Sequence, residues 1–300
     1  MNLFNGLMAF PLTPTDDEGS LNCDLLAVFL ERIVAGGADC IGLLGSTGGY
    51  AYLTRKERKR ALRVAVECVG AQTPLIVGVG ALRTDMAEDL ARDANKAGAN
   101  GLLLAPASYL PLTDEEVFRH FEAVAAAGDL PICIYNNPTT TRFDFSKDLI
   151  ARLAKIPNVV AAKMPLPAGD DYVGNLRNLQ AATPAGFSIG YSGDWGAKDA
   201  LLAGGACWYS VIAGLLPEYA LALTRPAQNG ELAEAERINL AFEPLWKLFR
   251  EFGSFRAMYT LVELLGLGRV SPPRPILPLS EANRGRLATA LTHLHVALEK

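Results

Sequence analysis

The sequence is poor in the residues that build metal and disulfide sites. Its five cysteines are scattered, odd in number and contain no C-x-x-C pair. Histidine is rarer, and two of the three histidines, His293 and His295, are two residues apart and would not share one helix face. These shortages argue against a histidine-rich metal site and favour a reducing, cytoplasmic setting. We therefore expect no bound metal.

An excess of charge and a long apolar run are also missing. The chain has 28 Lys and Arg against 32 Asp and Glu, whereas a nucleic-acid binder would show a basic face. Its apolar stretches are interrupted before about ten residues, and a membrane-spanning helix needs about 20. Residues 1–19 lack the basic lead and apolar core of a secretory signal. We expect no nucleic-acid partner, no membrane contact and a cytoplasmic location.

Short apolar runs separated by amphipathic stretches fill most of the chain. The runs are continuous rather than alternating, which is typical of parallel strands buried on both faces. Helical signals lie between them, such as the capping box of Thr113 and Glu116 that begins the stretch 112–128. This order predicts an α/β fold, a (βα)8 TIM barrel over residues 1–225, with a doubly wound open sheet as the alternative. The predicted strands are 6–10, 40–45, 74–80, 101–106, 131–136, 159–164, 187–193 and 207–212.

The strand pattern stops after the eighth run. Residues 231–250, 254–266 and 280–298 favour helices, and Gly253 and the proline-rich segment 270–279 separate them. We expect residues 226–300 to form a C-terminal three-helix appendage that packs on the barrel, so that the chain makes one folded body.

Lys163 is the most informative residue at the predicted strand ends, where the active sites of (βα)8 barrels form. It closes an otherwise apolar run, V-V-A-A-K. Burial disfavours the charged form of an amine, and a neutral amine can attack a carbonyl to form a Schiff base. The alternative is a lysine that extends from a strand end into solvent.

Two further strand ends carry groups that suit such an amine. Tyr135 ends the preceding strand, and its phenol would face the same cavity because neighbouring parallel strands lie about 4.8 Å apart. The loop 45–49, G-S-T-G-G, follows the second strand, and its N–H groups with the Ser46 and Thr47 hydroxyls suit a carboxylate. The alternatives are a tyrosine that caps the core and an ordinary tight turn. Together the three features predict imine chemistry on a 2-oxo acid.

Five motifs occur together in this chain, namely G-S-T-G at 45–48, Y-N-x-P at 135–138, the lysine at 163, S-G-D at 192–194 and A-G-G-A at 203–206. With them, the sequence resembles the dihydrodipicolinate synthase/N-acetylneuraminate lyase superfamily of class I aldolases over essentially its full length. The resemblance implies a Schiff base on Lys163, Tyr135 as proton shuttle, and Ser46 and Thr47 as carboxylate ligands. It also implies a homodimer or homotetramer and no metal or organic cofactor.

Several positions depart from the synthase branch of that superfamily. The synthase branch has an arginine two residues after the proline of Y-N-x-P, where it binds a second carboxylate. Here that position is Thr140, and Arg142 comes two residues later. The paired tyrosines that follow the fourth strand in the synthase branch are replaced by Ala107 and Ser108, with Tyr109 one step on. These changes argue against a true synthase.

The predicted site combines these residues. The predicted catalytic residues are Lys163, Tyr135 and Thr47. The predicted substrate-binding residues are Ser46, Thr47, Gly48, Tyr109, Thr140, Gly193 and Tyr209.

The predicted function is that of a Schiff-base-forming lyase of the aldolase, dehydratase or deaminase type. Its substrate would be a small 2-oxo acid such as pyruvate, or a compound like pyrroline-4-hydroxy-2-carboxylate. One alternative is 4-hydroxy-tetrahydrodipicolinate synthase. Another is a non-catalytic 2-oxo acid binder, because the segment 164–170, M-P-L-P-A-G-D, lacks the polar groups that usually follow the lysine.

Overall fold

The computed structural model describes residues 3–298, and a closed barrel of eight parallel strands forms its centre. The strands pair in chain order, and the first pairs with the last, which closes the sheet and excludes the open-sheet alternative. Each strand lies within a predicted apolar run, so the predicted barrel is confirmed. The strands are β1 (Gly6–Ala9), β2 (Cys40–Leu43), β3 (Leu75–Gly78), β4 (Gly101–Leu104), β5 (Ile132–Tyr135), β6 (Val159–Met164), β7 (Ser188–Ser192) and β8 (Cys207–Ser210).

Helices connect the strands and surround the barrel. The predicted capping box is present, since the Thr113 hydroxyl accepts from the Glu116 N–H and the Glu116 carboxylate accepts from the Thr113 N–H. The short helix α5 precedes α6 between β5 and β6. The barrel helices are α1 (Cys23–Ala35), α2 (Arg55–Val69), α3 (Thr84–Ala97), α4 (Asp114–Gly128), α5 (Pro138–Thr141), α6 (Lys147–Leu153), α7 (Tyr172–Gln180), α8 (Ala197–Leu202) and α9 (Pro217–Asn229).

The predicted C-terminal helices follow the barrel as α10 (Leu232–Phe252), α11 (Ser254–Leu264) and α12 (Glu281–Leu298). Helix α10 packs against α9 of the barrel and against α12. The predicted boundary after residue 225 falls inside α9, which continues to Asn229 and ends at a left-handed glycine. No helix within residues 3–298 is both long and apolar enough to cross a bilayer.

The inside of the barrel is packed with side chains from the strands. Three cysteines, Cys40, Cys133 and Cys207, are buried there, and burial raises the pKa of each thiol above its ordinary value. They are therefore neutral and fill space as small apolar groups. All five cysteines of the chain are free thiols.

His120 is a buried imidazole on the outer face of the barrel, in α4. Its Nδ1 lies 3.0 Å from the Thr84 hydroxyl of α3, and its Nε2 has no hydrogen-bond partner among residues 3–298. Burial lowers the pKa of His120 from 6.5 to about 4, because a charged ring would lose its hydration there. His120 thus joins α3 to α4 in its neutral form.

The His120 ring predicts a loss of stability in mild acid. As the pH falls from 6.5 to about 4, the unfolded chain binds a proton at His120 that the folded chain does not bind. The free energy of unfolding should therefore fall, by up to about 3 kcal/mol from this group. Urea unfolding of the wild type and of His120→Leu measures the effect. The wild type should lose stability relative to the variant across this range, and a pH-independent difference would contradict the assignment.

Candidate active site

Lys163 is buried at the mouth of the barrel. It is the penultimate residue of β6, only 5% exposed, and lies in register with Tyr135 of β5 and Gly190 of β7. None of the ion pairs formed within residues 3–298 includes its ammonium. Burying a cation without a paired anion costs free energy. This lysine therefore neither extends into solvent nor serves a structural salt bridge.

Three aromatic rings surround the Lys163 amine. Its Nζ lies 4.3 Å from the ring centre of Tyr135, 5.3 Å from that of Phe10 and 5.6 Å from that of Tyr209. Such rings attract a cation through their quadrupole and also exclude water from it. The amine is thus held in an apolar, electron-rich setting.

Phe10 was not identified from the sequence, although it follows β1 at the same end of the barrel. Its ring occupies space that two glycines leave open. A Cβ at Gly42 would overlap the ring, and a Cβ at Gly45 would lie 2.6 Å from it. Gly42 and the first glycine of the G-S-T-G-G loop thus let an aromatic ring reach Lys163.

The Tyr135 hydroxyl links β5 to the loop that follows β2. It donates to the Ser46 Oγ at 2.9 Å and accepts from the Asn137 Nδ2 at 3.0 Å. Tyr135 is therefore more than a ring that caps the core, since its polar atom lies in a hydrogen-bond chain at the barrel mouth. Ser46, rather than Thr47, contacts the phenol.

The loop Gly45–Gly49 presents free hydrogen-bond donors. Within the described chain, the N–H groups of Thr47 and Gly48 donate to no protein acceptor, whereas the Gly49 N–H donates to the Ser46 carbonyl at 3.0 Å. Leu44, before the loop, has a φ of 58°, which is strained for a branched residue. Successive free N–H groups in a tight loop suit an anion such as a carboxylate.

The S-G-D turn at the end of β7 also lies at the mouth of the barrel. Gly193 has a φ of 108°, and a Cβ there would lie 2.9 Å from Leu166. Asp194 is fully buried and accepts from Trp208 Nε1 at 3.0 Å and from two backbone N–H groups, the closer at 2.8 Å. Burial raises the pKa of Asp194 to about 6, although those donors and the charge of Lys163 act in the opposite direction.

Tyr209 lies beneath the amine rather than at the cavity surface. It is 1% exposed, and its hydroxyl lies 3.3 Å from the Cys133 Sγ inside the barrel. Burial raises its pKa well above the ordinary value, so the phenol is neutral. Gly190 makes room for it, because a Cβ there would lie 2.7 Å from its ring. Its hydroxyl is thus directed into the core.

Two other predicted substrate-binding residues are on the surface. Tyr109 is 88% exposed in the loop between β4 and α4. Thr140 is exposed on α5, and its hydroxyl donates to the Asn137 carbonyl at 3.3 Å. Arg142 is also exposed, with a φ of 57° at the end of α5. In this single chain none of the three contacts Lys163.

A pair formed by a half-buried tyrosine and a buried arginine beside the site was also missed. The Arg58 guanidinium lies 5.0 Å from the centre of the Tyr50 ring and donates to the Gly80 carbonyl at 3.0 Å. Burial and the neighbouring Tyr135 raise the pKa of Tyr50 to about 12, and burial lowers that of Arg58 to about 10. Arg58 lies in the charged run at the start of α2, and such a run is typical of a solvated helix face. The sequence therefore does not indicate that Arg58 is buried.

The barrel and the buried lysine at its mouth are the architecture of the class I lyases, which form a Schiff base between substrate and a lysine. A sequence model of the dihydrodipicolinate synthetase family matches residues 3–294. The chain belongs to that family, and it is a class I lyase.

Named relatives cover nearly the whole chain. A crystal structure described as dihydrodipicolinate synthase from Agrobacterium tumefaciens is 54% identical, has a TM-score of 0.96 and covers 97% of this chain and 98% of its own. Two proteins named 4-hydroxy-tetrahydrodipicolinate synthase are less similar. That of Albidiferax ferrireducens is 34% identical and that of an Acidovorax strain 33%, each over 93% of both chains.

The packing beneath Lys163 predicts that Gly190 tolerates no side chain. A Cβ there would overlap the Cys207 backbone carbonyl oxygen as well as the Tyr209 ring, so β7 and β8 would have to separate. Gly190→Ala should lower the free energy of unfolding by about 1–3 kcal/mol. The matched control is Gly285→Ala in the open face of α12, where nothing lies within 4 Å. That change should stabilise by about 0.5–1 kcal/mol. Equal effects of the two substitutions in urea unfolding would contradict this packing.

Proposed function

We propose that this lyase acts on a small 2-oxo acid, with Lys163 as the nucleophile. The observation that carries the proposal is the buried, unpaired Lys163 amine beside a tyrosine that is hydrogen-bonded to the G-S-T-G-G loop. The family places the chain among lyases, and the resemblance gives the same lysine the same role. The amine, the phenol and the loop together supply what imine formation needs.

The free N–H groups of Thr47 and Gly48 would hold the substrate carboxylate. The carbonyl carbon next to that carboxylate then lies toward the Lys163 amine, whose nitrogen attacks it. A C–N bond forms as the carbonyl π bond breaks, and a proton lost from the amine nitrogen converts the carbonyl oxygen into the hydroxyl of a carbinolamine. Fixing the carboxylate in this way supplies most of the orientation that the attack requires.

Loss of water from the carbinolamine needs a proton, and we assign its delivery to Tyr135 and Ser46. The nitrogen lone pair forms the C=N bond as the C–O bond breaks, and the phenol proton completes the leaving water. The hydrogen bond from Tyr135 to Ser46 provides the path. Thr47, which the sequence suggested as catalytic, is here assigned to the carboxylate.

The protonated imine then withdraws electrons from the neighbouring carbon. The Tyr135 phenolate takes a proton from that carbon, and the C–H electrons form the C=C bond of an enamine. The enamine either expels a group from the next carbon or forms a bond with an aldehyde. Elimination of a hydroxyl or amino group corresponds to the dehydratase and deaminase types. We propose elimination on a hydroxylated 2-oxo acid or a pyrroline carboxylate.

The exposed residues of α5 favour a substrate with one carboxylate. A second carboxylate needs a fixed cation, and a forked arginine is the usual partner. Thr140 has no charge, and Arg142 is exposed beyond the end of the helix. We infer that a condensation whose product carries two carboxylates, such as that of pyruvate with aspartate semialdehyde, is disfavoured.

A second candidate is 4-hydroxy-tetrahydrodipicolinate synthase, because relatives at 33–34% identity carry that name. Membership of a lyase family argues against the third reading, a non-catalytic 2-oxo acid binder. The assays below separate the two enzyme readings.

We also propose that the chain works as a homodimer or homotetramer, as the resemblance implies. Large apolar side chains are exposed in the segments that follow β3 and β4, namely Leu82, Met86, Tyr109 and Leu110. A second copy that covers them would bring Tyr109 out of solvent.

Borohydride trapping tests the nucleophile. Incubation with pyruvate and borohydride should add one reduced pyruvate to the chain, and peptide mapping should place it on Lys163. Lys163→Ala should abolish the adduct, whereas Lys56→Ala, which removes an exposed lysine of α2, should leave it unchanged. An adduct on another lysine, or none with a panel of 2-oxo acids, would contradict the proposal.

Steady-state assays test the substrate class. Losing a charge-assisted pair costs about 2–4 kcal/mol, so condensation of pyruvate with aspartate semialdehyde should be about 30- to 1000-fold less efficient than turnover of a hydroxylated 2-oxo acid. Thr140→Arg should restore the condensation only weakly. Efficient condensation that Arg142→Ala abolishes would instead favour the synthase and show that Arg142 holds the second carboxylate.

A further inference from the structure

We propose that Asn137 is a positioning residue that directs the Tyr135 proton to Ser46 and stabilises the phenolate left behind. The proposal rests on the proposed function, in which Tyr135 is the proton donor. The Asn137 Nδ2 donates to the phenol oxygen at 3.0 Å, and the phenol donates to the Ser46 Oγ at 2.9 Å. The phenol oxygen thus contacts one donor and one acceptor.

The Asn137 amide is held in one orientation. Its Oδ1 accepts from the Thr139 hydroxyl at 2.8 Å, which turns the NH₂ group toward Tyr135. Its backbone carbonyl accepts from the Thr140 and Thr141 N–H groups at 3.0 Å each and from the Thr141 hydroxyl at 2.9 Å. Pro138 then starts α5, so the residue is fixed on both its side chain and its main chain.

The neighbouring asparagine does not share this role. Asn136 is fully buried and donates its Nδ2 to the Asp144 carboxylate at 3.1 Å. Only the second asparagine of Y-N-N-P contacts the phenol. That position is the variable one of the Y-N-x-P motif, and the sequence resemblance assigned it no role.

An amide NH₂ can only donate, so the phenol oxygen must accept from it and direct its own hydrogen toward Ser46. When the phenol gives its proton to the departing water, its oxygen becomes negative. A hydrogen bond to a charged oxygen is about twice as strong as one to a neutral oxygen. The Asn137 donor therefore favours the state after proton transfer over the state before it, which is the condition for a rate effect.

Single-turnover imine formation tests the proposal. Wild type, Asn137→Leu and Asn137→Asp are mixed with pyruvate and quenched with borohydride at increasing times, and the adduct is measured by intact mass. Asn137→Leu should form the adduct about 10- to 100-fold more slowly, with an unchanged pyruvate concentration for half-saturation. The same change at Asn229, an exposed asparagine at the end of α9, is the matched control and should have no effect.

Asn137→Asp tests the donor itself, because a residue that only holds α5 in place would give no change in the pH dependence of the adduct-forming rate. It keeps the size of the side chain and its acceptor for Thr139, but an ionised carboxylate cannot donate to Tyr135. As the pH falls from about 6 to about 4, toward the ordinary pKa of an aspartate, the carboxyl gains a proton and becomes a donor again. Its rate relative to wild type should therefore rise across this range.

The outcomes separate this inference from the function on which it rests. A wild type that forms no adduct overturns the proposed function and the inference with it. A reactive wild type with an equally fast Asn137→Leu overturns the inference alone. A slow Asn137→Asp whose relative rate is independent of pH overturns it as well, because the residue would then only hold α5 in place.

Discussion

An amine buried without a paired anion is the constraint on which the rest of the site depends. Water is largely excluded from Lys163, and no carboxylate among residues 3–298 forms an ion pair with it. The buried carboxylate whose pKa it affects, Asp194, is already satisfied by three donors from Trp208 and the backbone. The barrel therefore holds the amine with aromatic faces, which stabilise a cation less than an anion would.

Glycines make this arrangement geometrically possible. Phe10 and Tyr209 are large rings inside a barrel of short strands, and each lies where a neighbouring strand has a glycine, Gly42 or Gly190. The amine is thus packed from below and from the side, while the loop with Ser46 and Thr47 forms the open side. Rigid packing of this kind fixes the geometry of a site more closely than loops alone would.

The sequence predicted the features that depend on backbone periodicity. Continuous apolar runs identified all eight strands, and the adjacency of parallel strands brought Tyr135 next to Lys163. Hydrogen-bond directions were not predictable, because Ser46 and Thr47 are chemically alike and only the loop conformation decides which contacts Tyr135. Asn137 was missed for the same reason. Burial of Phe10 and Arg58 depends on tertiary packing, which leaves no periodic signal in either segment.

The most direct test is a crystal structure of the borohydride-reduced pyruvate adduct. We predict a covalent bond to Lys163 Nζ, the carboxylate within hydrogen-bond distance of the Thr47 and Gly48 N–H groups, and the Tyr135 hydroxyl still hydrogen-bonded to Ser46 and Asn137. A carboxylate bound elsewhere, with the loop 45–49 unoccupied and Tyr135 turned away, would contradict this prediction.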